Sequence, residues 1–316
     1  MDKSRKFFNL ILLGLILSFQ TNLAQREYSH DSVVHKTTPL FSGLHTLSIH
    51  VRDTITHDSV FHFLVDKLKL PVYYYTVSYG KRKYAGVYAG NLVLEPCGPY
   101  SGYQYGSKNF RAIFFGLTFE PFESISLSAK GLADRNINHE SGDTYIYLQK
   151  DSALCGDNIT ISFMDRGLIK AIDTRIMDSL RYALNANTET KYNVFERTDD
   201  EVPKKYTSVT YYNELGIEYV KEICIGYEDI SNFQKWKELI SPMELTDNEI
   251  WKVSKLLNFY IIKSNIKEVR SITFKVKSLE RAQQYLLKNN LFGNISDNKI
   301  HLDMAQAFGL SIYLTE

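Results

Sequence analysis

The residues between positions 45 and 95 include four histidines and one glutamate whose side chains could bind a metal ion or transfer a proton. The histidines are His45, His50, His57 and His62, and the acid is Glu95. His45 and His50 lie on one predicted strand, where an odd separation places two side chains on opposite faces. His57 and His62 are five residues apart, which differs from the four-residue spacing of a helical metal-binding pair. The spacing along the sequence therefore predicts no metal site by itself. Other elements of the fold would have to bring further ligands close to His45 and Glu95.

A loop rich in tyrosine is a second candidate for contact with a ligand. Tyr100, Tyr103 and Tyr105 alternate with small and polar residues in the segment YSGYQYGS. Tyrosine supplies an apolar stacking face and a polar tip, so such a loop can line a cleft. The alternative is an ordinary connection between strands. Arg270 is a further candidate, either as the partner of an anionic ligand or as a surface charge at the start of a strand.

Several established kinds of site are excluded by the motifs that the sequence lacks. Cys97, Cys155 and Cys224 are widely spaced and form no C-x-x-C pair, which excludes a zinc ribbon and a thioredoxin-type site. The three are either buried thiols, or Cys97 and Cys155 form one disulfide. No glycine-rich nucleotide loop, H-E-x-x-H helix or G-x-S-x-G turn occurs.

The elements that must position these side chains form a unit that is repeated four times. The first unit begins with the alternating strand Leu44–Val51, continues with a helix that carries apolar residues at helical spacing, and ends with three short strands. Comparable strand-to-helix openings begin near residues 110, 217 and 269. Polar residues that suit a helix N-cap follow three of these first strands, namely Asp53, Asp229 and Ser278. The sequence therefore predicts an α+β protein made of four βαβββ modules.

These modules resemble a known superfamily. The first module contains the stretch Leu44-His45-x3-Ile49-x-Val51-x-Asp53, then a helix, and then the stretch Gly90-Asn91-Leu92-Val93-Leu94-Glu95-Pro96. This arrangement is similar to the first module of the vicinal oxygen chelate superfamily, and residues 272–286 and 309–314 resemble its closing module. The superfamily includes glyoxalase I, bleomycin-resistance proteins and extradiol dioxygenases. The resemblance implies that modules pair into half-barrels around a cleft. Two such glyoxalase-like domains would then span residues 28–165 and 206–316, joined by the connecting segment 166–205.

The resemblance also implies where a metal would bind. In this superfamily a divalent metal lies in the cleft, and its ligands come from the first and last strands of each module. His45 and Glu95 occupy such positions in the first module, which implies a single divalent metal there. The corresponding positions of the other modules hold Ile113, Lys221, Arg270 and Tyr313. Neither domain has the three protein ligands that are usual, so the main ligand cleft is expected in the first domain and the second is expected to be mainly structural.

Composition and the N-terminal segment indicate which partners the protein has and where it is located. The 316 residues include 37 basic and 36 acidic side chains, so the protein lacks the excess of positive charge that is typical of nucleic-acid-binding proteins. A basic start, the apolar run Phe7–Phe19 and a small residue at Ala24 are typical of a signal peptide over residues 1–24. An uncleaved anchor is the alternative, although the apolar run is shorter than the roughly 20 residues of a spanning helix. We expect a bacterial protein that is exported to the periplasm or the exterior and has no membrane attachment after cleavage.

Two functions remain open at this point. The first is an exported protein that binds a small molecule on this fold, with an incomplete metal site. The second is a metal-dependent lyase, isomerase or dioxygenase of the same superfamily. The missing ligands favour the first function, while His45 and Glu95 keep the second open. The sequence therefore does not decide whether the protein is an enzyme.

Overall fold

The computed structural model describes residues 38–99, 111–150, 153–169, 215–243 and 250–316. Within them the chain forms two β-sheets and several α-helices, so the predicted α+β class of βαβββ modules is confirmed. The predicted signal peptide at 1–24, the loop residues Tyr100, Tyr103 and Tyr105, and nearly all of the predicted connection 166–205 lie outside these residues.

The first sheet contains eight of the described strands. They are β1 Phe41–Val51, β2 Val72–Tyr79, β3 Arg82–Tyr88, β4 Val93–Gly98, β5 Ala112–Pro121, β6 His139–Ser141, β7 Tyr145–Leu148 and β8 Thr160–Met164. Their order is β2-β3-β4-β1-β5-β8-β7-β6. The long strands β1 and β5 pair antiparallel at the centre, and each is paired in parallel with the last strand of its own module. The sheet is therefore two four-stranded modules joined through their first strands.

Each module of the first sheet places its helix directly after its first strand. Helix α1 spans Thr54–His62 and continues as a π-helical turn over Phe63–Lys67, and helix α2 spans Ile125–Asp134. The carboxylate of Asp53 accepts the backbone N–H of Thr56 at 2.7 Å, which satisfies one of the unpaired donors at the start of α1. This is the predicted N-cap. The capping residues therefore fix the point at which the chain leaves each strand.

The second sheet contains seven of the described strands. They are β9 Ile217–Tyr227, β10 Ile250–Lys252, β11 Asn258–Lys263, β12 Glu268–Val276, β13 Phe292–Ser296, β14 Lys299–Leu302 and β15 Ile312–Thr315. Their order is β10-β11-β9-β12-β15-β14-β13, again with the first strands of two modules, β9 and β12, paired antiparallel at the centre. Helix α3 spans Ile230–Ile240 and helix α4 spans Leu279–Lys288, with the predicted caps Asp229 and Ser278. The same architecture thus occurs twice along the chain.

Apolar packing and hydrogen bonds connect the two sheets. Their buried apolar side chains form a continuous cluster, in which the rings of Phe119 and Phe259 lie 6.0 Å apart. The side chain of Asn91 donates to the carbonyl of Val220 at 2.8 Å and accepts its N–H at 3.0 Å. Asn91 therefore pairs with the edge of a strand of the second sheet as another strand would. The domain limits expected at 165 and 206 stay a prediction.

The three cysteines lie inside the protein. Cys97, Cys155 and Cys224 are all buried thiols that form no disulfide, which agrees with the first of the two alternatives for them. No helix within the described ranges is long and apolar enough to cross a membrane.

Candidate functional site

One face of the first sheet carries a band of hydroxyl groups together with the carboxyl group of Glu95. Ser48 on β1 lies level with Glu95 on β4, and Thr46 lies level with Thr118 on β5. Thr118 and Ser162 are also in register, with their hydroxyl oxygens 3.0 Å apart. The residues that alternate with these on β1 are apolar and fully buried, because successive side chains on a strand point to opposite faces. The polar band therefore occupies the face away from the main core.

The polar face is strongly curved. Glu95 on β4 and Tyr147 on β7 are separated by four strand spacings, which would be roughly 19 Å on a flat sheet. Nevertheless the pKa of Tyr147 is raised to about 12, mainly by burial and then by the nearby side chains of Tyr145, Glu95 and Tyr84. These three side chains must therefore lie close to Tyr147. Such proximity requires the two wings of the sheet to approach each other. The first sheet therefore encloses a cleft, with Glu95 on one wall and Tyr147 on the other.

Glu95 is the acid at the centre of this cleft. The hydroxyl of Tyr74 donates to its Oε1 at 2.6 Å and the hydroxyl of Ser48 donates to its Oε2 at 3.2 Å. Gly86 makes room for the tyrosine, since a Cβ there would lie 2.4 Å from the Tyr74 ring. Burial raises the pKa of Glu95, and the two donated hydrogen bonds oppose that rise. A carboxyl in this environment therefore holds a proton more readily than the side chain of an exposed glutamate does.

Replacing the tyrosine that contacts Glu95 tests this electrostatic account. In Tyr74→Phe the burial of Glu95 is retained while the shorter of its two hydrogen bonds is lost. We expect the pKa of Glu95 to rise further, because that bond stabilises the ionised carboxylate. The measurement is a pH titration of the Glu95 carboxyl carbon by NMR. A fall in the pKa, or no change in it, would show that the Tyr74 hydroxyl does not stabilise the carboxylate.

The resemblance implies that His45 and Glu95 are metal ligands. In the first sheet they lie at different positions along the strand direction. Nδ1 of His45 is 2.7 Å from Oγ1 of Thr46, and its ring lies 6.4 Å from that of Tyr73. His45 occupies a break in register between Leu44 and Thr46, three residues before Ser48. Three residues correspond to roughly 10 Å along a strand, whereas Glu95 is level with Ser48. A metal bound jointly by His45 and Glu95 stays a prediction.

The described side chains do not fit the ligand set of a catalytic metal. Non-haem iron oxygenases use two histidines and a carboxylate, and catalytic zinc sites use three protein ligands. No group of three or more His, Cys, Asp or Glu side chains able to hold a metal occurs in the parts of the chain that the structure describes. The atoms that contact Glu95 are hydroxyl oxygens of Ser48 and Tyr74. We therefore derive no reaction step through a metal.

The second sheet forms a comparable polar face, but its acid is paired within the protein. Glu222 on β9 lies level with Thr273 on β12, which in turn lies level with Tyr313 on β15. The ammonium of Lys299 on β14 reaches Oε1 of Glu222 at 2.9 Å, although three strand spacings separate them in the sheet order. Stacking of His301 on Tyr313, with ring centroids 4.5 Å apart, fills the same face. An internal ion pair thus crosses the second cleft.

The remaining predicted ligand contact, Arg270, belongs to this second sheet. Its Nε lies 3.4 Å from a carboxylate oxygen of Glu268, and its side chain is close to half exposed. It also lies near Cys224, whose pKa is raised to about 11 mainly by burial. Arg270 is therefore ion-paired on β12 of the second sheet, whereas Glu95 belongs to the first. Its role as a ligand contact stays a prediction, as do those of Tyr100, Tyr103 and Tyr105.

Sequence reasoning identified the acid of the first cleft but missed the hydroxyl groups around it. Ser48 and Tyr74 contact Glu95, and Tyr147 faces it across the cleft. The alternation of Thr46, Ser48 and His50 on β1 signals a polar strand face. Nothing local indicates that Tyr147, from the second module, approaches Glu95 of the first.

Comparisons with known proteins relate the fold to one group of enzymes. Homoprotocatechuate 2,3-dioxygenase from Brevibacterium fuscum, in its anaerobic complex with 3,4-dihydroxyphenylacetate, is 11% identical, with a TM-score of 0.51 over 90% of this chain and 82% of its own. The enzyme from Arthrobacter globiformis is 11% identical, with a TM-score of 0.54 over 89% and 81% of the two chains. No family model matches the sequence, and no curated protein matches it. At this identity the likeness concerns the fold.

Proposed function

Because the chain has the fold of the vicinal oxygen chelate superfamily, we propose that it is an exported protein that binds a small organic molecule in the cleft of its first sheet. The observation that carries the proposal is the position of Glu95. It lies within a curved polar face, keeps access to solvent, and is surrounded by hydroxyl groups that can donate and accept hydrogen bonds. Ligand sites of this kind combine a concave surface with a few polar groups that fix orientation.

The second sheet supports the choice of the first as the ligand site. The acid at its cleft is already neutralised by Lys299, and its histidine is stacked on Tyr313. Opening that cleft to a ligand would break an ion pair and a ring contact. The second sheet therefore suits the structural role that the sequence predicts for it.

The proposal is tested by mapping bound fragments onto the backbone. The mature protein, labelled with ¹⁵N, is titrated with small aromatic acids, alcohols and amines. We expect shifts of the amide signals of Ser48, Glu95 and Tyr147, and none at Glu222 or Thr273. The matched variants are Glu95→Ala, expected to weaken the shifts, and Glu222→Ala, expected to leave them unchanged. Shifts confined to the second sheet would contradict the assignment of the site.

A metal-dependent enzyme is the second candidate, and the comparisons favour it at the level of the fold. The structural neighbours are extradiol dioxygenases, and one of them holds 3,4-dihydroxyphenylacetate. A single divalent metal is consistent with that likeness, with Glu95 as its carboxylate ligand. The test is oxygen consumption with 3,4-dihydroxyphenylacetate after reconstitution with Fe²⁺. The ligand-binding proposal predicts no consumption above that of the free metal. Consumption that disappears in Glu95→Gln would establish the enzyme instead.

Export is proposed from the order of basic, apolar and small residues in the first 24 positions. We expect the mature chain to begin at Gln25 and to be recovered from the periplasm or the medium. N-terminal sequencing of the protein expressed with its full leader checks this. A chain that retains Met1 in the membrane fraction would show that the segment is an uncleaved anchor.

A further inference from the structure

Glu95 differs from the acids Glu218, Glu222 and Glu268 of the second sheet in the type of group that contacts it. Its contacts are the hydroxyl groups of Tyr74 and Ser48, and no lysine or arginine pairs with it in the described part of the chain. Hydroxyl groups stabilise a carboxylate but do not cancel its charge. A poorly solvated carboxylate without a counter-charge is costly, so a cation that enters the cleft gains a strong electrostatic interaction.

The second sheet supplies an internal comparison. Glu222 has Lys299 at 2.9 Å, Glu268 has Arg270 at 3.4 Å, and Glu218 has Lys275 at 3.7 Å. All three acids lie on the central strands β9 and β12 of their sheet, as Glu95 lies beside the central strand of its own. The fold therefore readily places a basic side chain beside an acid in such a position. Glu95 has no such basic neighbour among the described residues.

The walls around Glu95 are aromatic. Tyr74 contacts its carboxylate, Tyr84 comes from the neighbouring strand β3, and Tyr145 and Tyr147 approach from the opposite wing. The rings of Tyr145 and Tyr147 are 5.2 Å apart, and Tyr147 is 40% exposed, so a ligand can reach them. The face of a tyrosine ring attracts a cation through its quadrupole, and sites for ammonium groups are built from several such rings.

We propose that the ligand of the first cleft carries an ammonium group, which is held by the Glu95 carboxylate and by the tyrosines on both walls. This inference rests on the proposed ligand-binding function and specifies the chemical class of the ligand. Phenethylamine, phenylacetate and 2-phenylethanol are suitable probes, because they share a ring and a two-carbon or shorter chain and differ in charge. The mature protein is titrated with each probe at neutral pH, and binding is followed by the amide signals of Ser48 and Glu95.

Phenethylamine is expected to bind about tenfold more tightly than 2-phenylethanol, with phenylacetate the weakest of the three. Glu95→Gln preserves the size of the side chain and removes its charge, so it should abolish the preference for the amine. Glu222→Gln serves as the matched control, since its acid belongs to the other cleft, and should retain the preference. Tyr147→Leu should weaken binding of the amine more than that of the alcohol.

The other outcomes separate the two proposals. If phenylacetate or the alcohol binds at Glu95 as tightly as the amine, the cleft is a ligand site and the ammonium inference is wrong. If none of the probes shifts the cleft signals, both the inference and the proposed function are wrong. If Mn²⁺ broadens the Glu95 signals and prevents the amine from binding, the cation of this site is a metal, and the ammonium inference is overturned in favour of the metal-dependent enzyme.

Discussion

Gly90→Ala is expected to lower the free energy of unfolding by at least about 3 kcal/mol, because it combines a strained backbone with a collision that cannot be relieved locally. Gly90 has a φ of +87°, and a Cβ there would lie 2.0 Å from the carbonyl oxygen of Glu218. The obstacle is backbone of β9, which Asn91 holds in place through two hydrogen bonds to Val220. Adding one methyl group must therefore separate the first sheet from the second. Denaturant unfolding measures the loss.

Gly80→Ala is the matched control for this substitution. Gly80 has a φ of +58°, but a Cβ there would meet nothing within 4 Å. It should cost only the backbone strain, about 1 kcal/mol. Equal losses in the two variants would show that the contact between Gly90 and β9 is not important for stability.

Acidification from pH 7 to pH 4.5 is expected to lower the free energy of unfolding by about 2–3 kcal/mol through His50 alone. His50 is 3% exposed and stacks on Phe115 with ring centroids 3.8 Å apart. Burial, and then the charge of Arg82, lower its pKa from 6.5 to about 3. Between these two values the unfolded chain takes up a proton that the folded chain does not. The stability is therefore complete above pH 6.5 and is lost progressively as the pH falls towards 3.

The variant His50→Phe isolates this contribution, since it keeps an aromatic ring beside Phe115 and removes the titrating group. Its stability should vary less with pH over the same range, although His57 and His301, whose pKa values are also lowered by burial, retain a slope of the same sign. Glu95 acts in the opposite sense, because its raised pKa favours the folded state as the pH falls. The same loss of stability in the variant as in the wild type would exclude His50 as the source. Unfolding curves at several pH values provide the measurement.

The order of strands and helices follows from local sequence signals, and most of it was predicted. Asp53, Asp229 and Ser278 mark the starts of three helices because their oxygens accept backbone N–H groups that have no other partner. The sequence does not locate strand β13 within the fourth module, because most of its side chains are exposed and it lacks the alternation that identifies a strand with one buried face.

The candidate site was predictable only in part, because register and curvature are not local properties. The sequence predicts Glu95 at the end of the fourth strand, and the structure places it within β4, while its role as a metal ligand stays a prediction. Ser48, and not His45, lies level with Glu95 in the pairing of β1 with β4, and counting along the sequence does not reveal which residues of two strands are paired. The approach of Tyr147 to Glu95 depends on the curl of an eight-stranded sheet, which links two modules more than 50 residues apart in sequence.

We propose that Glu95 is the acid of a ligand cleft and has no basic partner among the described residues, and its own ionisation tests this proposal most directly. The pKa of the Glu95 carboxyl is measured by NMR in the free protein and in the presence of saturating phenethylamine. The account predicts a pKa above the ordinary value in the free protein, and a lower pKa once an ammonium group lies beside the carboxylate. An ordinary pKa in the free protein that does not change when the amine is added would contradict it.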